Sequence, residues 1–356
     1  MEKLRKLLIF LSQFELSSSK IDLILDILGD DASVTAFSKQ MFDEKVLSAE
    51  QASKMKNLAD EAMVDNLVKD LENKDIIILT KIDEDYPEKL KDLDDNPYCL
   101  FCKGDISLLS KPSISVVGTR KPSNYGKMVT NKLVGDIASA GVVVISGLAY
   151  GIDSIAHRKA LEEGGKTIAV LGGGFDHIYP AEHTSLAKEI EEKGLLVTEY
   201  LPSKISTKYT FPQRNRIIAG LGDGILITEA NLKSGTIHTK EFALEYGKNI
   251  YAVPGNIDSD LSSLPNELIK TGQSSAVTCS KDILDDYDVK SLEKTIYQNY
   301  SIEEEMIINL LKDGGKEIDE IVKATNFNIN LVNSCLTSLE INGIISRMPG
   351  NVILLN

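Results

Sequence analysis

Between Ser113 and Gly255, six short apolar runs, SISVVG, VVVISG, TIAVLGGG, LLVTEY, GILITEA and NIYAVPG, alternate with amphipathic stretches. A strand that is apolar at every position is buried on both faces, and a helix between successive strands carries the chain back to start the next one parallel. The pattern therefore predicts an α/β domain over 111–288, an extended Rossmann-like, doubly wound parallel sheet.

The flanking segments read differently. Residues 1–75 carry apolar positions at helical spacing, as in LRKLLIFLSQF and IDLILDILG, with Gly29 placed to end the second run. They predict a small helical domain of the SAM or helix-hairpin-helix kind. Over 76–110, DIIILT reads as a strand, and the remainder as an extended connector punctuated by Pro87 and Pro97. A linker is expected over 289–300. Beyond it, Ser301 and Glu304 match a capping box, and two further helical patterns precede the strand-like IISRMPGNVILLN, which predicts a winged helix over 301–356. The second helix of its helix-turn-helix, near 328–342, contains no Lys or Arg. Phosphate contacts supply most of the affinity for duplex DNA, so protein contact is the better expectation for this helix.

The chain has a formal net charge of −14, which argues against coating a polyanion with the whole surface and requires any such site to be a local patch. No apolar run is long enough to span a membrane, and the first residues lack a cleavage site after an apolar core; a soluble cytoplasmic protein without membrane association is expected. Cys99 and Cys102 form a C-x-x-C inside a short apolar run with no second pair, so buried strand cysteines are expected rather than a metal or redox site.

In an open parallel sheet, ligands gather outside the carboxyl ends of the strands. Here those ends read Gly118-Thr119-Arg120, Ser146-Gly147, Gly172-Gly173-Gly174, Glu229-Ala230 and Pro254-Gly255. Such small and polar residues admit a close anion, although tight turns need glycine in any case. Two stretches sharpen the reading. Lys111 to Lys132 carries five basic residues and no acidic one, and Leu201 to Gly220 carries four and none. Phe211 follows Lys208 by three positions, and a cation beside an aromatic ring is the combination that holds single-stranded nucleic acid. Asn215 adds a hydrogen-bonding group for a base edge or a turn.

Enzyme signatures are weak. There is no G-x-x-x-x-G-K-[ST] and no G-x-G-x-x-G, and His157, His177, His183 and His238 follow no metal-ligand spacing. Neither catalytic residues nor a metal or cofactor is expected.

The stretches SVVGTRKPSNYG, SGLAYGIDSIAH, TIAVLGGGFDHIYP, FPQRNRIIAGL, EANLKSGT and YAVPG, in this order, resemble the DNA-processing protein A family (DprA, also called Smf) over essentially the whole chain. The resemblance implies a cytoplasmic, dimeric protein that binds single-stranded DNA and loads the RecA recombinase onto it during natural transformation. The family's G-[ST]-R element falls on Gly118, Thr119 and Arg120, and its K-x-x-F-x-x-R-N-R element on Lys208, Phe211, Arg214, Asn215 and Arg216. With the small residues of the strand-end loops, Ser123, Ser146, Gly147 and Gly173, these are the residues expected to touch DNA. The sequence departs from the family pattern at Leu264 and Gln273, near the expected dimer and recombinase surface, and at Lys240. Two other readings compete. A nucleotide-cleaving enzyme resembling the phosphoribohydrolases would need a glutamate where Thr239 stands, and a regulatory adaptor would not bind single strands.

Overall fold

The computed structural model describes residues 2–287, 300–312, 314–341, 344–348 and 352–355, so all but the last residue of the linker expected over 289–300 lies outside the described residues. The chain forms two compact units, Met1–Val289 and Lys290–Asn356.

The first unit begins with five helices: α1 (Glu2–Leu11), α2 (Ser18–Leu28), α3 (Val34–Lys39), α4 (Ala49–Leu58) and α5 (Glu61–Glu72). α1 is the centre of this layer, with Leu7 to Leu11 all buried. Ser48 and Asp60 cap α4 and α5 by accepting amide hydrogens that the first turns leave unpaired.

After the helices come β1 (Ile77–Thr80), the short α6 (Glu88–Lys91) and β2 (Cys99–Gly104). Six strands follow where the apolar runs put them: β3 (Ser113–Val117), β4 (Val143–Ser146), β5 (Thr167–Val170), β6 (Leu195–Thr198), β7 (Gly224–Ile227) and β8 (Asn249–Ala252). They alternate with α7 (Asn124–Ser139), α8 (Ile152–Glu162), α9 (Thr184–Lys193), α10 (Thr210–Leu221) and α11 (Thr236–Glu245); α12 (Ser263–Lys270), β9 (Ser275–Ala276) and α13 (Lys281–Leu284) complete the unit.

Among the described residues, nine strands make one sheet, in the order β1-β2-β6-β5-β4-β3-β7-β8-β9. The ladder from β6 through β8 is parallel throughout. Both of its faces are covered. Val117, Ile145, Val170 and Ile227 pack with Ile217, Ile218 and Ala243 of α10 and α11, whereas Ala169 and Leu196 pack with Leu161, Leu186 and Ile190 of α8 and α9. The chain builds outward from β3 through β6, then returns to lay β7 on the other side of β3.

The expected connector over 76–110 needs correction. β1 and β2 pair antiparallel with each other, and β2 pairs antiparallel with β6, so this stretch extends the sheet. Its side chains alternate between two cores. Ile78, Cys99 and Phe101 face the N-terminal helices, while Leu79, Leu100 and Cys102 join the core of the sheet. The two cysteines are buried on opposite faces of one strand, and burial pushes the Cys99 thiol up to about 12. Their side chains belong to different cores.

The second unit holds α14 (Ile302–Leu311), α15 (Ile318–Thr325) and α16 (Ile329–Ile341), with β10 (Lys316–Glu317), β11 (Ile345–Met348) and β12 (Val352–Leu355) in a small antiparallel sheet. The capping box of Ser301 and Glu304 is present at the start of α14. This is a winged helix around Ile307, Ile321, Leu336 and Ile353.

Candidate nucleic-acid interface

Winding outward from β3 on both sides puts the topological switch point between the carboxyl ends of β3 and β7, where doubly wound folds place their ligands. In this chain the crevice is filled from within. The buried carboxylate of Glu229, just past β7, accepts the backbone N–H of Ser123 at 2.9 Å and its hydroxyl at 2.5 Å. Ser123 Oγ in turn accepts the N–H of Gly126 in the first turn of α7. A Cβ on Gly126 would run into that carboxylate. The backbone closes the same gap, for Thr119 N–H donates to the Glu229 carbonyl at 2.6 Å.

One loop further along the sheet the arrangement recurs. Asp153 in α8, also buried, accepts the N–H groups of Gly147 at 3.1 Å and Ala149 at 3.4 Å. Burial raises its carboxyl above the usual carboxylate range, against the pull of Arg214 and of those amides. Arg214 lies under this loop. Its guanidinium donates to the carbonyls of Gly147 at the end of β4 and Val170 at the end of β5, and burial brings it down to about 10. His157 belongs to the same buried layer. The Thr167 hydroxyl donates to the Val144 carbonyl, so it accepts from His157 Nδ1–H at 2.7 Å and leaves Nε2 unprotonated. Burial, reinforced by the nearby charge of Arg214, lowers this histidine to about 3.

Over that scaffold runs an exposed rim. Arg120 projects from the loop after β3, and its guanidinium lies 5.9 Å from the ring centroid of Phe211 in the first turn of α10. Phe211 is half-buried, and its ring covers Gly172, where a Cβ would stand 2.7 Å from a ring carbon. Tyr179, half exposed, packs with its ring centroid 5.3 Å from that of Phe211. Lys208 is exposed beside Tyr209, its ammonium 5.0 Å from that ring. Arg120, Phe211 and Tyr179 therefore meet from three separate segments, and Lys208 and Tyr209 form a second cation–ring pair just before the helix that carries Phe211.

The expected site residues divide accordingly. Arg120 and Lys208 are exposed, and Gly118, Thr119, Phe211 and Asn215 are partly so. The others are buried or engaged within the fold. Ser123 has given both its donors to Glu229. Ser146 is buried with its hydroxyl donating to the Val116 carbonyl, and Gly147 and Gly173 are buried. Arg214 is held as described. Arg216, only 13% exposed, pairs with Glu199 beneath α10. Sequence reasoning missed Tyr179; its signal was an aromatic residue in the loop that opens with the triple glycine after β5.

Comparison with known proteins identifies the family of the chain. The family model described as DNA recombination-mediator protein A matches residues 77–288, and that of the DprA winged helix domain matches 298–351. The DNA processing protein DprA of Bacillus subtilis is 41% identical over 211 residues, 59% of this chain and 71% of that protein. The X-ray structure of DprA from Streptococcus pneumoniae superposes with a TM-score of 0.67 at 33% identity, covering 78% of this chain and 95% of that one. A structure of DNA processing protein A from Helicobacter pylori, described for its single-stranded DNA binding mode, gives a TM-score of 0.55 at 32% identity, over 60% of this chain and 95% of its own.

Proposed function

The chain belongs to the DNA recombination-mediator protein A family, and from that premise we propose that it binds single-stranded DNA along the rim formed by Arg120, Phe211 and Lys208, with Thr119 and Asn215 beside them. The observation that carries the reading is the placing of the exposed cations Arg120 and Lys208 against the rings of Phe211 and Tyr209 on a chain of net charge −14. Cations neutralise phosphates, and rings stack on bases without regard to sequence. The Helicobacter pylori protein, whose structure is described for its single-stranded DNA binding mode, supports the same ligand here.

The role that fits is DNA processing in natural transformation: the bound strand is protected and passed to a recombinase of the RecA type in the cytoplasm. Among the described residues no helix is long and apolar enough to cross a membrane. Self-association would place two rims on one strand and raise their effective concentration; the fully exposed Ile257 lies near the segment where the family resemblance puts that contact. No catalytic step is part of this reading. A nucleotide-cleaving enzyme is less well supported, because Thr239, where its glutamate would stand, is buried in α11.

Gel-shift titrations of the full chain with single-stranded and duplex oligonucleotides of equal length test the proposal. Preference for the single strand, weakened by salt, is the expected result. Equal or absent binding would sink it.

A further inference from the structure

We propose that Glu229 is a built-in anion that closes the switch-point crevice to nucleotide phosphates, leaving negative charge from outside only the rim above it. In open parallel sheets, the first helix after the central strand offers its amide hydrogens to a phosphate at this point. Here the offer is already taken up. Ser123 N–H and Oγ–H, two donors at the entrance of α7, both end on the Glu229 carboxylate, and Ser123 Oγ accepts Gly126 N–H. The side chain is 2% exposed and lies against the helix backbone at a residue that has no Cβ. An incoming phosphate would meet the Glu229 side chain at the place where the Ser123 donors are already engaged.

The neighbouring loop repeats the device: Asp153 takes the amides of Gly147 and Ala149 after β4. Two successive phosphate cradles of a nucleotide-binding architecture therefore hold carboxylates of the chain itself. Glu229 becomes a specificity determinant, since it turns away mononucleotides and leaves the outer rim to longer anions. The inference does not depend on what the rim binds.

Inorganic pyrophosphate and adenosine monophosphate are the probes, added to the full chain and to Glu229→Ala and Glu229→Ser variants. Binding is followed by calorimetry, and folding by thermal unfolding. The wild-type chain should give no saturable binding of either probe, and the variants should bind pyrophosphate saturably, at least about tenfold more tightly than the weakest binding the titration detects. Any thermal stability that a variant loses should be recovered by pyrophosphate beyond the effect of sodium chloride at the same ionic strength. That recovery can be read even if a variant is largely unfolded alone. Saturable binding of the probes by the wild-type chain overturns the proposal, as do variants that neither bind pyrophosphate better nor regain stability in it. Single-strand affinity measured in parallel reports on the rim alone: were it absent from every protein, the reading of the rim would fail while the gain of pyrophosphate binding still stood.

Discussion

The Arg120 guanidinium rides on the Phe211 ring at 5.9 Å, joining the loop after β3 to the first turn of α10. The cation and the stacking surface are therefore one unit, each setting the other's orientation. If a strand lies across them, their contributions to binding differ in kind and are coupled.

Arg120→Ala should weaken single-strand binding and flatten its salt dependence by roughly 0.7 units of slope, since one fewer condensed counterion is released. Phe211→Ala should cost about 1–3 kcal/mol with the slope nearly intact, because stacking releases no ion. The double substitution should cost less than the sum of the two, as expected for residues in contact. Fluorescence anisotropy titrations over a range of salt concentrations check all three, with thermal unfolding of each variant alongside.

Arg214→Ala should fail as a fold rather than as a binder. It strips two buried carbonyls of their donor and leaves Asp153 without its cation, a change on the order of 3–5 kcal/mol. Arg214→Lys should restore part of that stability. Urea unfolding of both variants gives the answer; a folded, fully stable Arg214→Ala that had lost DNA binding would return this residue to the interface.

Removing residues 301–356 should leave single-strand affinity within a few-fold of the full chain. The helix α16, which would read duplex DNA in a winged helix, carries no Lys or Arg, so it has no cation to offer phosphates. A folded truncation that bound a hundredfold more weakly would contradict this reasoning.

Stability should fall on acidification through a window set by His157. The group titrates near 6.5 unfolded and about 3 in the fold, so between those values the unfolded chain binds the extra proton and stability drops as pH falls, by up to about 1.4 kcal/mol per pH unit. Asp153, whose carboxyl burial raises, acts in the opposite sense, since the fold then holds the extra proton above the ordinary carboxylate range. The difference between the wild-type chain and His157→Gln isolates the histidine. Urea unfolding from neutral pH down to about pH 4 should show a shallower acid loss for the variant.

The six parallel strands were legible because burial on both faces leaves an unbroken apolar run in the sequence. β1 and β2 were not. Their place beside β6 rests on antiparallel pairing with a strand far along the chain, such as Phe101 with Thr198, and Pro87 and Pro97 disguise the hairpin as a connector. The rim was legible in Arg120, Lys208 and Phe211, where charge and ring stand in a carboxylate-free stretch. Arg214 and Arg216 look the same in sequence, yet α10 lies over the strand ends and turns both beneath itself. Only the tertiary fold tells a cation that meets a ligand from one that holds up the surface. Ser123 shows the same limit, because its partner Glu229 is 106 residues away.

The alternation along β1 and β2, with Ile78 and Phe101 turned to one core and Leu79 and Leu100 to the other, makes the hairpin a party wall. The N-terminal helices cannot be trimmed away at a boundary near residue 75 without uncovering Ile76, Ile78, Cys99 and Phe101 as a greasy sheet face at the end of the molecule. Shortened chains that begin there should clump during purification, and solubility would return only if those wall residues were replaced by polar ones.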